Sequence, residues 1–330
     1  MRACFSAVAI FLAVPALAET PDIGTIVDGH VLPGYRLLET EAMDLANAAA
    51  SDCAPTSEGL RDAYHDAFDA WVGVSHLRFG PSETEDRSFA LAFWPDPRGS
   101  TPKTLGGLIS AQDPVIETPE DFATVSVAVR GFYALEFLLF DPQFAGDGIA
   151  DYRCALLQAV TLDISANASA ILDGWENGYG ALMSNPGNDT YRTATEAAQQ
   201  FFTALSTGLE FTSDTRLARP LGTFDRPRPN RAEARRSGRS LRHVVLSLEA
   251  TRALAALLSE GDAEVDAAFQ SALRRATDLD DPVFEGVADP GKRFKVEALR
   301  QDIVSTRRLL LEGLGPRLGI TAGFNSLDGD

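Results

Sequence analysis

The stretch Arg130-Gly-Phe-Tyr-Ala-Leu-Glu-Phe-Leu-Leu-Phe140 places one carboxylate, Glu136, within an apolar helical segment. Tyr133 and Glu136 are three residues apart and therefore lie on one helix face. Gly131 has no side chain, so a neighbouring backbone or a ligand can approach the helix closely at that point. Because burying an unpaired carboxylate is costly, we expect Glu136 to meet an arginine, a metal ion or a proton.

The chain on both sides of this stretch has a helical pattern. Apolar residues recur at helical spacing in blocks that are bounded by proline, glycine and capping residues. The blocks predict helices at residues 33–53, 57–76, 119–140, 150–183, 190–209, 232–259, 263–278 and 292–314. Residues 81–117 are rich in Pro, Gly, Asp and Ser, and they predict a long loop packed down by its aromatics. No run alternates as a strand does, so the predicted fold class is all-α, with two up-and-down helical bundles of about four helices each packed side by side.

The first residues have the organisation of an export signal. Arg2 precedes the apolar run Ala7–Val14, and small residues up to Ala18 complete a cleavage site. We therefore expect cleavage after Ala18. No membrane span is expected, since no later run reaches the ~20 uninterrupted apolar residues that a spanning helix needs. The predicted organisation is a signal peptide at 1–18, a first helical bundle at 19–185 and a second at 186–330.

The net charge limits which partners are expected, and the cysteines bear on the redox state of the compartment. The sequence has 47 Asp plus Glu against 29 Lys plus Arg, a net charge of −18, which excludes nucleic acid as an expected partner. Removal of the signal leaves Cys53 and Cys154, an even pair in a chain bound for an oxidising compartment. A disulfide and two separate buried thiols are both compatible with this pair.

The Gly131 to Glu136 stretch resembles the G-x-H-x-x-E motif of the imelysin-like family, with Tyr133 at the histidine position. Four other stretches are similar to the same family: His30-Val-Leu-Pro-Gly-Tyr35, Trp71 with Leu77-Arg-Phe-Gly-Pro81, Tyr152-Arg-Cys154 with Trp175, and the ending Gly323-Phe-Asn-Ser-Leu-Asp-Gly-Asp330. Together they cover roughly residues 25–330. The resemblance implies a bacterial periplasmic helical protein of the peptidase M75-like type, linked to iron uptake and to envelope iron-uptake proteins as partners.

Tyr133 and Glu136 are the candidate metal ligands. An oxygen-only site built on a phenolate and a carboxylate suits a hard cation, so iron is favoured over zinc, which prefers nitrogen and sulfur. The alternatives are core packing for Tyr133 and a structural ion pair for Glu136.

Seven arginines between residues 226 and 242 form a basic cluster in this acidic chain. Arg235, Arg239 and Arg242 are predicted to share one helix face. That face either crosses the bundle interface to meet Glu136 or an anionic ligand, or is solvated. Family resemblance adds Arg78 as a further partner. The predicted ligand-binding set is Gly131, Tyr133, Glu136, Arg78, Arg239 and Arg242.

The spacing of the four histidines does not match the motifs of a zinc-dependent peptidase. His30, His65, His76 and His243 form no His-x-x-x-His pair and no His-Glu-x-x-His run, so zincin chemistry is unsupported and no catalytic residue is assigned. The leading hypothesis is a periplasmic imelysin-like protein that binds a metal ion or a small anionic ligand between two bundles and assists iron uptake. The alternatives are a metallopeptidase and a catalytically inert scaffold with a degenerate site.

Overall fold

The computed structural model describes residues 21–146 and 150–320. The predicted signal peptide and the family-like ending at 323–330 lie outside these residues. Within them the chain forms helices joined by turns, and the single β-bridge, between Thr223 and Arg226, is isolated. The predicted all-α fold is confirmed.

The helices of the first half pack around one another. In chain order they are α1 (Ile23–Ile26, π-helical Val27–Val31 and Leu32–Ser51), α2 (Glu58–Val74), α3 (Arg87–Leu91), α4 (Ser100–Ala111), α5 (Pro119–Phe122), α6 (Gly131–Phe140) and α7 (Ala150–Gly174, π-helical Trp175–Tyr179 and Gly180–Ser184). Helix α1 lies along both α2 and α7, and α6 packs on α7. These contacts build the first bundle.

The second half repeats the arrangement. Its helices are α8 (Ala194–Glu210, π-helical Phe211–Leu217 and Ala218–Leu221), α9 (Ser240–Leu258), α10 (Ala263–Thr277) and α11 (Pro290–Leu309, π-helical Leu310–Leu314 and Gly315–Arg317). Helix α9 packs against α8 and α10, and α11 packs against α10 and α8. Helix α2 contacts α9, so these two helices join the bundles. The boundary predicted at residues 185/186 falls in the connection between α7 and α8.

Local capping chemistry explains where most helices begin. Ser57, Thr193, Asp262 and Asp289 each stand just before a helix and accept a hydrogen bond from a backbone N–H of its first turn. Side-chain oxygens at this position satisfy amide donors that have no intrahelical partner. The starts of α2, α8, α10 and α11 therefore lie within a few residues of their predicted positions.

The single helix predicted at 119–140 is wrong. Only one turn, α5, follows the cap at Thr118, and a 3₁₀ turn at Val127–Val129 precedes α6. Arg130 is extended, with φ −106° and ψ 163°, and Gly131 has φ +70°. A right-handed helix cannot continue through a residue in that left-handed region.

Two further predictions are corrected. The segment 81–117 is not a single loop, because it contains α3 and α4, and α4 buries Leu105 and Ile109 in the core. The helix predicted at 232–259 begins only at Ser240. Ala234 and Gly238 have φ values of +43° and +74°, so residues 232–239 follow an irregular path. Burial of apolar side chains therefore makes α4 helical despite its loop-like composition. Backbone turns keep residues 232–239 out of the helix despite their helical pattern.

Cys53 and Cys154 form a disulfide, which closes the question that the sequence left open. It ties the end of α1 to the start of α7 across 101 residues of sequence. In the chain-entropy description, a loop of this length stabilises the folded state by about 4 to 5 kcal/mol.

Among the described helices, α7 is long and apolar enough by composition to cross a membrane. Its most apolar window is 44% buried inside the protein. Asp163 of this helix pairs with Arg130 at 2.6 Å, and the helix packs on α1 and α6. A core helix of a globular protein has the same composition, so this feature is weak evidence for a span.

Candidate functional site

A cleft of about 790 Å³ lies between the two bundles. The end of α2, the segment after α3 and helix α6 line one side, while α8, α9 and the segment 232–239 line the other. Aromatic, uncharged polar and charged side chains together form its walls: Trp71, Trp94, Tyr133, Phe211, Gln199, Gln200, Thr203, Thr207, Arg78, Glu196, Glu210, Asp214, Arg216 and Glu233. A cavity of this size with apolar walls and a few polar groups suits a small organic molecule.

Glu233 is the buried carboxylate at the wall of this cleft. Its side chain accepts a hydrogen bond from the Tyr133 hydroxyl at 2.5 Å and one from Arg216 Nε at 2.6 Å. Arg216 also donates to Ser247 Oγ at 2.6 Å. Glu233 is 1% exposed and Arg216 is 5% exposed, so a complete ion pair with its hydrogen bonds lies out of water. Charge-assisted bonds of this kind hold side chains in a fixed geometry.

The electrostatics of this pair keep Glu233 charged and Tyr133 neutral. Burial opposes ionisation of Glu233, but Arg216 and His243 outweigh it and hold the pKa of Glu233 below its ordinary value. Burial and the charge of Glu233 raise the pKa of the Tyr133 phenol well above its ordinary value. Tyr133 therefore remains a hydrogen-bond donor at neutral pH.

A chain of contacts continues from Glu233 to the surface. His243 Nδ1 lies 3.3 Å from Glu233 Oε2, and Arg239 Nε donates to His243 Nε2 at 3.0 Å. Arg239 also pairs with Asp69 of α2 and contacts His65 Nδ1 at 2.8 Å. Burial lowers the pKa of His243 to about 4, so this imidazole is neutral. The network joins α2 to α9 and fixes one bundle against the other.

Glu136 is buried, as the sequence predicts. Its hydrogen-bond partner is not an arginine side chain, and Glu136 does not line the cleft. Its Oε1 accepts hydrogen bonds from the Ser237 backbone N–H at 3.0 Å and from Ser237 Oγ at 2.9 Å. Burial raises the pKa of Glu136, and these Ser237 donors oppose the rise. Tyr133 lines the cleft and Glu136 does not, so the two predicted ligands have different partners and surroundings.

Gly131 permits a close approach of backbone. A Cβ atom at this residue would lie 2.2 Å from the Leu91 carbonyl oxygen and 2.3 Å from the Ala90 carbonyl oxygen. Real side chains cannot occupy that distance, and φ is +70°. The neighbour that requires glycine is therefore the end of α3, which packs on the start of α6.

The predicted arginines are placed in different surroundings. Arg78 lines the cleft and pairs with Glu83 at 2.7 Å. Arg239 and Arg242 both bind Asp69 rather than Glu136. Arg235 precedes α9, so it does not share a helix face with them.

Two of the four histidines, His30 and His76, form a pair that was not predicted from the sequence. His30 Nε2 and His76 Nε2 are 3.0 Å apart, with His30 in the π-helical turn of α1 and His76 just after α2. Burial lowers the pKa of His30 to about 4 and that of His76 well below its ordinary value. His76 lines the cleft, whereas its Nδ1 is buried without a hydrogen-bond partner among the described residues.

The residues at the cleft do not suit a bare metal ion. Both oxygens of Glu233 are engaged, one by Tyr133 and one by Arg216, whose charge repels a cation. The Tyr133 phenol is held in its protonated form, which is a poor ligand. Throughout residues 21–146 and 150–320, no group of three or more His, Cys, Asp and Glu side chains is arranged to hold a metal. Direct iron ligation by Tyr133 and Glu136 is therefore disfavoured in this arrangement.

Glu233 and Arg216 could be recognised from the sequence only in part. Glu233 is the sole acid within the stretch Arg226–Arg242, a signal that it neutralises an arginine. Arg216 carries no comparable mark, because its burial depends on the π-helical segment of α8. The 100-residue separation of Tyr133 and Glu233 leaves their contact invisible to local pattern.

Within the described residues the chain is an all-α protein whose two bundles enclose the cleft. The family model described as Imelysin, Peptidase_M75, matches residues 31–310, and the chain belongs to that family. No curated protein matches the chain.

Two solved structures share the fold. An imelysin-like protein from Psychrobacter arcticum 273-4 has a TM-score of 0.76 and 21% identity, over 92% of this chain and 96% of that chain. A protein described as an iron-regulated protein A precursor, from Parabacteroides distasonis ATCC 8503, has a TM-score of 0.72 and 15% identity, over 92% of this chain and 97% of that chain.

Proposed function

We propose that this protein is an exported, periplasmic imelysin-family protein that binds a small anionic ligand in the cleft between its bundles and takes part in iron uptake. Iron is the favoured metal, and it enters the cleft as the cargo of an organic anion rather than as a bare ion. The cleft itself carries the proposal, because it combines a volume of about 790 Å³, aromatic walls and a prearranged buried ion pair.

The wall chemistry favours an organic ligand with polar groups. Trp71, Trp94 and Phe211 contribute apolar wall, and Gln199 and Gln200 offer amide donors and acceptors. The network around Glu233 is satisfied before any ligand arrives, so the ligand does not have to organise it. Prearranged sites of this kind lose little entropy on binding.

The choice of a chelate over a bare ion follows from the donors at the cleft. Glu233 is saturated by Tyr133 and Arg216, and a cation beside Arg216 would be repelled. An iron ion whose coordination is completed by a polycarboxylate needs no protein ligand.

The link to iron and to export has two supports. The structural relative from Parabacteroides distasonis is described as an iron-regulated protein A precursor, and the family is shared. The disulfide between Cys53 and Cys154 suits an oxidising compartment such as the periplasm. The expected partners are envelope iron-uptake proteins.

Equilibrium dialysis with iron analysis tests the proposal. Ferric citrate and ferrous ion are offered separately to the wild type, to Thr203→Trp, which fills the cleft from α8, and to Thr195→Trp, a matched change on the same helix outside the cleft lining. We expect the wild type and Thr195→Trp to retain ferric citrate, and Thr203→Trp to lose it.

The bare-ion alternative gives a different pattern. Ferrous binding that survives Thr203→Trp and is lost in Glu136→Ala would replace the chelate reading with direct ligation near α6. If the wild type binds neither ferric citrate nor ferrous ion, the inert-scaffold alternative is favoured and the proposed function is wrong.

A further inference from the structure

Arg219 stands at the edge of the cleft, and it forms no ion pair with residues 21–146 or 150–320. It belongs to the segment Ala218–Leu221, which continues α8 beyond the cleft wall. Its guanidinium carbon lies 5.5 Å from the centre of the Trp94 ring. Trp94 lines the cleft and stacks on Tyr133, with ring centres 6.2 Å apart. One aromatic ring therefore separates Arg219 from the Tyr133–Glu233 pair.

The donors of Arg219 are unused within the described part of the chain. Its Nε is buried without a hydrogen-bond partner, and the side chain forms no ion pair there. Arg216, three residues earlier, pairs with Glu233 at 2.6 Å. A guanidinium offers five N–H donors in a fixed fork, and leaving buried donors unmet is costly.

A second positive charge lies beside the first. The turn Pro229–Arg231 packs on the segment that holds Arg219, and the Arg228 backbone N–H donates to the Pro220 carbonyl at 2.8 Å. Burial and the charge of Arg231 together lower the pKa of Arg219. Two like charges are thus held together in a chain whose net charge is −18. An anion between the two guanidinium groups would offset this repulsion.

We propose that Arg219, supported by Arg231, is an anion anchor at the rim of the cleft and binds a carboxylate or phosphate group of the ligand. Guanidinium forks match the geometry of both groups. The body of the ligand then lies against the part of Trp94 that lines the cleft, while Arg219 holds its charged end. This assignment rests on the proposed function only in taking the cleft as the ligand site, since free anions in solution meet the same two arginines.

Binding of three probes to charge-matched variants tests the anchor. Ferric citrate, citrate alone and inorganic phosphate are titrated into the wild type, Arg219→Gln, Arg231→Gln, Arg219→Lys and Arg226→Gln. Arg226 supplies the control because it is exposed on the same basic segment and loses the same charge. Circular dichroism and thermal unfolding verify that each variant is folded.

We expect Arg219→Gln to weaken anion binding roughly ten- to a hundredfold, the range of one charge-assisted bond, and Arg231→Gln to weaken it less. Arg219→Lys keeps the charge without the fork and gives an intermediate loss. Arg226→Gln binds as the wild type does.

The outcomes separate this anchor from the proposed function. Ferric citrate binding that is equal in the wild type and Arg219→Gln overturns the anchor and leaves the function. Citrate or phosphate binding that depends on Arg219, with no preference for ferric citrate, supports the anchor and counts against the iron chelate. Equal losses of binding in Arg219→Gln and Arg226→Gln would show an effect of net charge alone and would overturn the anchor. If none of the three probes binds, the anchor is also overturned.

Discussion

The Tyr133 hydroxyl donates to Glu233 Oε1 over 2.5 Å, although 100 residues separate the two in the chain. One residue comes from the first bundle and the other from the segment that leads into α9. Because Glu233 also binds Arg216, this contact couples the cleft wall to a buried ion pair. The stability of the bundle interface should therefore depend on side chains that also line the ligand site.

Replacement of Tyr133 by phenylalanine tests the contact. The variant keeps the ring that packs on Trp94 and removes one donor from a buried carboxylate, so we expect a loss of about 1 to 3 kcal/mol in the free energy of unfolding. Urea unfolding measures it. Tyr152→Phe is the control, because that hydroxyl donates to the Asp113 carbonyl in a part-buried position. Equal losses in the two variants would show that the Glu233 contact has no special weight.

Loss of charge should destabilise the protein much more at Glu233 than at Glu136. Glu233→Gln leaves Arg216 buried without a counter-ion, and we expect a loss of about 3 to 5 kcal/mol. Glu136→Gln retains an acceptor for Ser237 and removes a charge that burial disfavours, so the change should stay within about 1 kcal/mol. Chemical unfolding at neutral pH compares them. A larger loss in Glu136→Gln would contradict the assignment of Glu233 as the paired carboxylate.

Gly131 should not tolerate alanine. The added Cβ would overlap the carbonyl oxygens of Ala90 and Leu91, and the residue would be strained at φ +70°. We expect a loss of at least about 3 kcal/mol or a failure to accumulate folded protein. Gly106→Ala is the control, since nothing lies within 4 Å of a Cβ there and it sits inside α4. That change should stabilise by up to about 1 kcal/mol.

Acidification should destabilise the protein through its buried histidines. The pKa of His30 is about 4 in the folded chain against an ordinary value of 6.5, so the unfolded chain binds the proton more tightly. Stability is therefore full above pH 6.5 and falls as the pH drops toward 4. His30→Gln should remove about 2 to 3 kcal/mol of the loss seen between pH 6.5 and 4.5. Parallel pH profiles for variant and wild type would refute this role of His30.

Local pattern predicted the helices well where capping residues and apolar spacing agreed. It failed at three places where long-range contacts decide the backbone. The helix predicted at 119–140 is interrupted before Gly131, where the end of α3 packs against the backbone. Helix α4 forms inside the predicted loop because Leu105 is buried in the core. The segment before α9 is not helical, and Gly238 there has a positive φ. Each depends on atoms that are remote in sequence.

The candidate site divides in the same way. The sequence identified Glu136 as buried, and it is, because an apolar helix carries it into the core whatever its partner. The identity of that partner, Ser237, required the fold. One hypothesis placed Arg239 beside Glu136, but Arg239 pairs with Asp69 of α2.

The amino-acid sequence by itself determined the all-α class and the burial of the stretch around Glu136, since helical periodicity and hydrophobicity are properties of neighbouring residues. Only the tertiary structure decided that Glu233 rather than Glu136 faces the cleft, and that no acid of the described residues pairs with Arg219. Ion pairing depends on distance in space, and a chain of helices can bring any two faces together without leaving a local mark.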